Sequence, residues 1–211
     1  MPLLHHNKVN NDCSLNVWLI TETERELVAE LHSYPYLEEL ATITNPVKRK
    51  EWLAARAALI DLIILHNGKM QEIKKDDHGK PFLHHSQYIS LAHSYPYAAS
   101  IFHKSLKAGI DIEQVQPKLI KVAARFLNPD ELNHTAADPD TTCIYWTAKE
   151  ALFKMYGRKK CSFREHLHIF PFQPKPSGCL QTQVTIENKT YRHQVNYYKL
   201  QDYYISYCFA G

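Results

Sequence analysis

Apolar residues recur at helical spacing through residues 45–68, NPVKRKEWLAARAALIDLIILHNG, with Pro46 near the start and Asn67-Gly68 as a stop. The pattern predicts one long helix there. Upstream, residues 15–20 alternate weakly and predict a strand, and Thr21 with Glu24 fits a capping box for a helix running to about Leu31, which Pro35 would end. Downstream, a turn at His78-Gly79 precedes extended runs over residues 88–91 and 98–102, followed by the short strand KAGIDIEQV. Asn128, Pro129 and Glu131 supply an N-cap, a first-turn proline and a capping acid, so a helix starts there. A further helix over about residues 142–156 stops at Gly157. The tail over residues 181–210 alternates as TQVTIE, YRHQVNYYKL and YYISYCFA, with turns at Asn188 and Gln201-Asp202, and predicts a three-stranded antiparallel meander. A strand-helix-strand order occurs in each half with no low-complexity linker. The expected division is an N-terminal half, 1–106, and a C-terminal half, 107–211.

Composition narrows the class. With 211 residues, 45% of them hydrophobic, the chain can bury one sizeable core or two small ones. Its 25 basic and 22 acidic side chains nearly balance, which gives no support to a general nucleic-acid or membrane surface. The first residues lack a basic-then-apolar leader pattern, and the run AALIDLIILH is interrupted by Asp61 and too short to span a bilayer, so a cytoplasmic protein is expected. Five cysteines without a CxxC pair point to reduced thiols rather than a zinc site or disulfide framework.

Two stretches carry acids where chemistry can use them. In GIDIEQV, Asp111 and Glu113 lie two apart in a strand, so both carboxylates leave one face. Neighbouring like charges are destabilising unless a cation lies between them, although a merely solvent-facing strand would read the same way. In YWTAKEALFK, Glu150 and Lys154 are one helical turn apart with Lys149 adjacent. A capping box of Thr147 with Glu150, or an ordinary surface ion pair, would also account for them. Together, three carboxylates and several separated lysines match what a hard divalent ion and a polyphosphate require, since Mg²⁺ binds carboxylates along with substrate phosphates and lysines act as point charges on the remaining oxygens.

Gly109-Ile110-Asp111-Ile112-Glu113 and the segment from Trp146 to Lys154 match in full the paired signatures G-[IV]-D-x-E and [FW]-[ST]-x-K-E-[AS]-x-x-K. On these residues the chain resembles the 4′-phosphopantetheinyl transferase superfamily, in particular its larger single-chain, surfactin-synthetase-activating type. Gly79-Lys80-Pro81 resembles the family's G-K-P turn, ISLAHS its strand ending at a histidine, and Arg125-Phe126 with Glu131 the segment between the signatures, so the likeness spans about residues 46–157. Ala92 stands where the family usually has serine, and Lys48-Arg49-Lys50 with Arg56 matches its basic region only loosely.

The resemblance implies an α/β fold of two similar subdomains related by a pseudo-twofold axis, with the ligand in a cleft between them, and weakly favours a monomer. It also implies transfer of the phosphopantetheine arm of coenzyme A to a serine of an apo acyl or peptidyl carrier protein, releasing adenosine 3′,5′-bisphosphate. By resemblance Asp111, Glu113 and Glu150 would gather Mg²⁺, Glu150 would take the serine proton, and Lys154 would stabilise charge at the bridging oxygen. Lys149 would meet a neighbouring phosphate oxygen, while His93 and Lys80, with Lys48 or Arg49, would hold the nucleotide. Trp146 and Phe153 read as core. Two other readings compete: a carrier-binding module without chemistry, which should have lost an acid or Lys154, and a Mg²⁺-dependent nuclease, which needs lysine where Val115 stands. The pentapeptide HSYPY occurs at residues 32–36 and 93–97, but its flanks differ, so it does not indicate duplication.

Overall fold

The computed structural model describes residues 3–31, 37–77, 79–83, 87–157 and 161–210. The chain divides into two units, Met1–Lys107 and Ala108–Gly211, and the architecture is α/β, with an antiparallel sheet and a long helix in each. The first HSYPY copy and His78 lie outside the described residues.

In the first unit the elements are β1 (Leu3–Lys8), β2 (Cys13–Leu19), α1 (Glu24–Glu30), a 3₁₀ helix (Leu37–Thr42), α2 (Pro46–Asn67), β3 (Ile73–Lys75), β4 (Pro81–Leu83), β5 (Tyr88–Ser94) and β6 (Tyr97–His103). Among the described residues the sheet order is β1-β2-β6-β5-β4-β3. Helix α2 begins and ends as its sequence predicts: the Asn45 side chain accepts the N–H groups of Val47 and Lys48, and Gly68, at φ +70°, closes the last turn onto the Ile64 carbonyl. Its buried Leu53, Leu59, Leu62 and Ile63 join Phe102 and Ile89 of the sheet in one core. Helix α1 starts two residues later than expected. Thr23 and Glu26 form the reciprocal cap, because Glu24 is drawn off to the guanidinium of Arg49. Strand β1 has no alternation and was not foreseen; its place follows from pairing with β2.

The second unit contains β7 (Ala108–Gln114), α3 (Lys118–Val122), a 3₁₀ turn (Ala123–Arg125), α4 (Pro129–Thr135), α5 (Pro139–Tyr156), α6 (Phe163–His166), β8 (Leu167–Ile169), β9 (Ser177–Ile186), β10 (Lys189–Leu200) and β11 (Tyr203–Phe209). The sheet order among the described residues is β7-β11-β10-β9-β8, so the expected meander is present, with β7 beside its last strand. Asn128 and Glu131 cap α4 as predicted. Asp138 caps α5, which starts at Pro139, so Thr147 is mid-helix and not a cap. Its hydroxyl meets the Cys143 carbonyl and, at 2.8 Å, the Ser206 hydroxyl on β11.

A buried ion pair joins the pieces of this unit. The Glu131 carboxylate accepts the backbone N–H of Asn128 and of Ile169, each at 2.9 Å, and the Lys149 ammonium at 2.5 Å. Lys149 donates its other two protons to the carbonyls of Phe126 and Phe163, both at 2.9 Å. The two side chains are 0% and 1% exposed, so α4, α5, β8 and the start of α6 share one fully satisfied charge pair. Breaking such a pair strands a charge in the core. Lys149→Met leaves Glu131 unpaired and is expected to destabilise the protein by about 3–5 kcal/mol in urea unfolding; a change under about 1 kcal/mol would show that the pair does not hold these elements.

Candidate active site

The site begins with a close approach. A Cβ added at Gly109 would lie 2.0 Å from the Ala151 carbonyl oxygen and 2.6 Å from the Met155 nitrogen, so β7 rests directly on the backbone of α5. Gly109, Asp111 and Glu113 alternate onto one face of β7, opposite Cys208, Ser206 and Tyr204 of β11. That face is the one against α5, not a solvent-facing one.

Lys154, on the last turns of α5, reaches across to the strand and donates to Asp111 Oδ1 at 2.7 Å. Asp111 is 7% exposed. Burial pushes its carboxyl up, Lys154 opposes this, and Glu113 adds to it. Glu150 is pushed to about 7, by burial first and then by Asp111, with Lys154 opposing and Glu113 contributing. Three acids and one lysine therefore feel one another's charge across the β7–α5 contact. Among the described residues no three His, Cys, Asp or Glu side chains are gathered tightly enough to hold a metal ion by themselves.

Glu150 also lines an open groove of about 610 Å³, with Val122, Arg125, Phe126, Trp146, Ser162 and Phe163. Trp146 packs edge-on against Phe126 at 4.9 Å and tilted against Phe163 at 5.9 Å. It is thus both a packing residue, as expected, and part of the groove, while Phe153 packs against the core and Phe163. The groove was missed from sequence, although Trp146 and Glu150, four apart on one helix, share a face.

Two expected ligand contacts are corrected. Lys149 is 0% exposed with all three donors spent on Glu131, Phe126 and Phe163, so it cannot also serve a phosphate. Arg49 donates through Nε and Nη2 to Glu24, at 2.9 and 2.6 Å, and through Nη1 to the Leu40 and Ile43 carbonyls, at 2.6 and 3.0 Å. It staples α1 and the 3₁₀ helix to α2.

In the first unit, Lys48 Nζ is 59% exposed in its side chain and 2.6 Å from the buried Glu51. His93, near the end of β5, places Nδ1 3.4 Å from the same carboxylate. Lys80 follows Gly79, at φ +81°, in the turn into β4, where its N–H donates to Asp76 at 2.9 Å. Cys179 is exposed, and Cys13, Cys143, Cys161 and Cys208 are buried. Among the described residues no helix is long and apolar enough to cross a membrane.

The sequence profile of the 4′-phosphopantetheinyl transferase superfamily matches residues 107–208. The match covers the unit carrying Asp111, Glu113, Glu150 and Lys154 and leaves the G-K-P turn and the His93 strand outside it. No curated protein sequence matches the chain.

The raised Glu150 carboxyl has a consequence for stability. Its folded value exceeds its unfolded one, so its contribution is fully present below the ordinary glutamate range and is lost as pH rises through about 7. Glu150→Gln removes the ionisation. In metal-free buffer its stability relative to the parent is expected to rise between about pH 5 and about pH 8 in paired urea titrations; a pH-independent difference would contradict the coupling.

Proposed function

Because residues 107–208 match the 4′-phosphopantetheinyl transferase superfamily, we propose that the chain is a holo-[acyl-carrier-protein] synthase of the larger single-chain type. It takes the 4′-phosphopantetheine group from coenzyme A, with Mg²⁺, and passes it to a serine of an apo acyl or peptidyl carrier protein. The observation that carries this reading is the cluster of Asp111, Glu113, Glu150 and Lys154 across the β7–α5 contact.

The donor set suits Mg²⁺. All three acids offer hard oxygen, and two of them are pushed up by burial and mutual repulsion, a charge excess that a cation relieves. Three side chains need not close on the ion alone, because Mg²⁺ retains waters and takes substrate phosphate oxygens. Asp111, Glu113 and Glu150 would hold the ion, which when bound neutralises charge on the pyrophosphate.

In the transfer, the serine oxygen attacks the phosphorus nearer the pantetheine. Its proton passes to Glu150, and the pyrophosphate bond breaks to release adenosine 3′,5′-bisphosphate. Glu150 is placed for that role because it shares a helix with Lys154, one turn away, and lines the open groove beside the acids. Lys154, one helical turn away, offsets negative charge on the leaving oxygen. Lys48, Lys80 and His93 are the candidates for the nucleotide and its phosphates. The aromatic groove beside Glu150 gives the serine-bearing partner a surface, and exposed Lys118, Lys121 and Arg125 suit an acidic one.

The reading is tested by incubating the protein with coenzyme A, Mg²⁺ and several apo carrier proteins and weighing each carrier. A gain of one phosphopantetheine group is expected. Glu150→Gln should fold as the parent does, by circular dichroism, and lose at least about a hundredfold in rate. No mass gain with any carrier, or full activity in the variant, would overturn the assignment.

A further inference from the structure

Glu51 lies on α2 with only 1% of its surface exposed, yet its carboxylate is heavily engaged. It accepts the backbone N–H of Tyr95 at 2.6 Å, meets Lys48 Nζ at 2.6 Å, and lies 3.4 Å from His93 Nδ1. Burial alone would raise its carboxyl; the contacts from His93, Lys48 and the Tyr95 N–H outweigh it and hold the group down to about 2. Glu51 is therefore a carboxylate at any working pH. His93 Nδ1 and Glu51 Oε2 are both closed to solvent and face each other at 3.4 Å without a formed hydrogen bond, while the His93 side chain keeps 29% exposure, so the open edge of the ring lies on its other atoms.

We infer that Glu51 is a positioning residue for His93: its carboxylate holds the proton on Nδ1 and fixes the ring so that Nε2 faces a phosphate oxygen of the substrate. A histidine's second nitrogen is defined by what the first one bonds. With Glu51 on one side and phosphate on the other, the ring carries both protons, Nδ1–H to the carboxylate and Nε2–H to the phosphate. The 3.4 Å separation closes as Nε2 is engaged, since such contacts tighten in the complex. The same carboxylate bonds Tyr95 and so fixes the turn that follows the histidine, and its pull on Lys48 orients a second cation on the same acid. This inference rests on the reading of His93 as a phosphate-binding residue.

The ring proton is located first, by ¹⁵N NMR of the ligand-free protein at about pH 9, where an ordinary histidine is neutral. The expected proton position is Nδ1 in the parent, with a shift toward Nε2 in Glu51→Gln, whose amide can donate to Nδ1. A proton on Nε2 in the parent, or no change in the variant, overturns the inference whether or not transfer activity is found. Kinetically, Glu51→Gln should raise KM for coenzyme A about tenfold with kcat nearly unchanged, the scale of one charge-assisted hydrogen bond. In a His93→Asn background the same substitution should add little. An equal effect in both backgrounds would mean that Glu51 only braces the fold, and would overturn the positioning role. If neither parent nor variants transfer, the proposed function fails while the NMR result still decides the Glu51–His93 coupling.

Discussion

The second unit is organised around the missing side chain of Gly109. With its would-be Cβ only 2.0 Å from a helix carbonyl, no other residue lets β7 lie so close on α5 without moving one of them. The contact fixes depth, and two others fix the helix along and about its axis: the Thr147–Ser206 hydroxyl pair and the buried Lys149–Glu131 pair. Once these are set, the period-two alternation of β7 and the turn spacing of α5 bring Asp111, Glu113, Glu150 and Lys154 together without further choice.

That assembly concentrates negative charge, and one lysine offsets only part of it. Burial first, and then the neighbouring acids, push the carboxyls of Asp111 and Glu150 up, and Lys154 opposes this only in part. Glu51 in the first unit is the opposite case, a deeply buried acid so well supplied with donors that it is held near 2. The contrast separates the two kinds of buried carboxylate in this chain. One kind is held ionised by nearby donors and cations of the protein, and the other leaves a demand for positive charge that a bound cation would meet.

Much of this was legible in the amino-acid order. Helix α2, the cap of α4, the end of α5 at Gly157 and the C-terminal meander follow from local rules, and the shared face of Asp111 and Glu113 follows from strand alternation alone. What could not be read was which of two equivalent-looking residues is used inside. Lys149 and Lys154 both sit in one nine-residue motif, but Lys149 aligns with Tyr145 and Leu152 on the buried side of α5 and only a preformed acid, Glu131, lets it stay there. Arg49 likewise reads as a free cation until Glu24 and two carbonyls are brought to it by the fold. Thr21–Glu24 and Thr23–Glu26 offer the same capping spacing, and the choice between them depends on that distant arginine. The superfamily profile stops at the second unit, so the parts played by Lys48, Lys80 and His93 rest on resemblance and on local geometry.

The central claim, that the carboxylates on β7 and α5 form a cation site completed by substrate phosphate, is tested most directly by calorimetric titration of coenzyme A with Mg²⁺ present and with it chelated. The account predicts that Mg²⁺ tightens coenzyme A binding and that Asp111→Asn largely removes this dependence, because the ion and the pyrophosphate complete each other's coordination. Equal affinity with and without the ion, or a dependence that Asp111→Asn leaves intact, would contradict it.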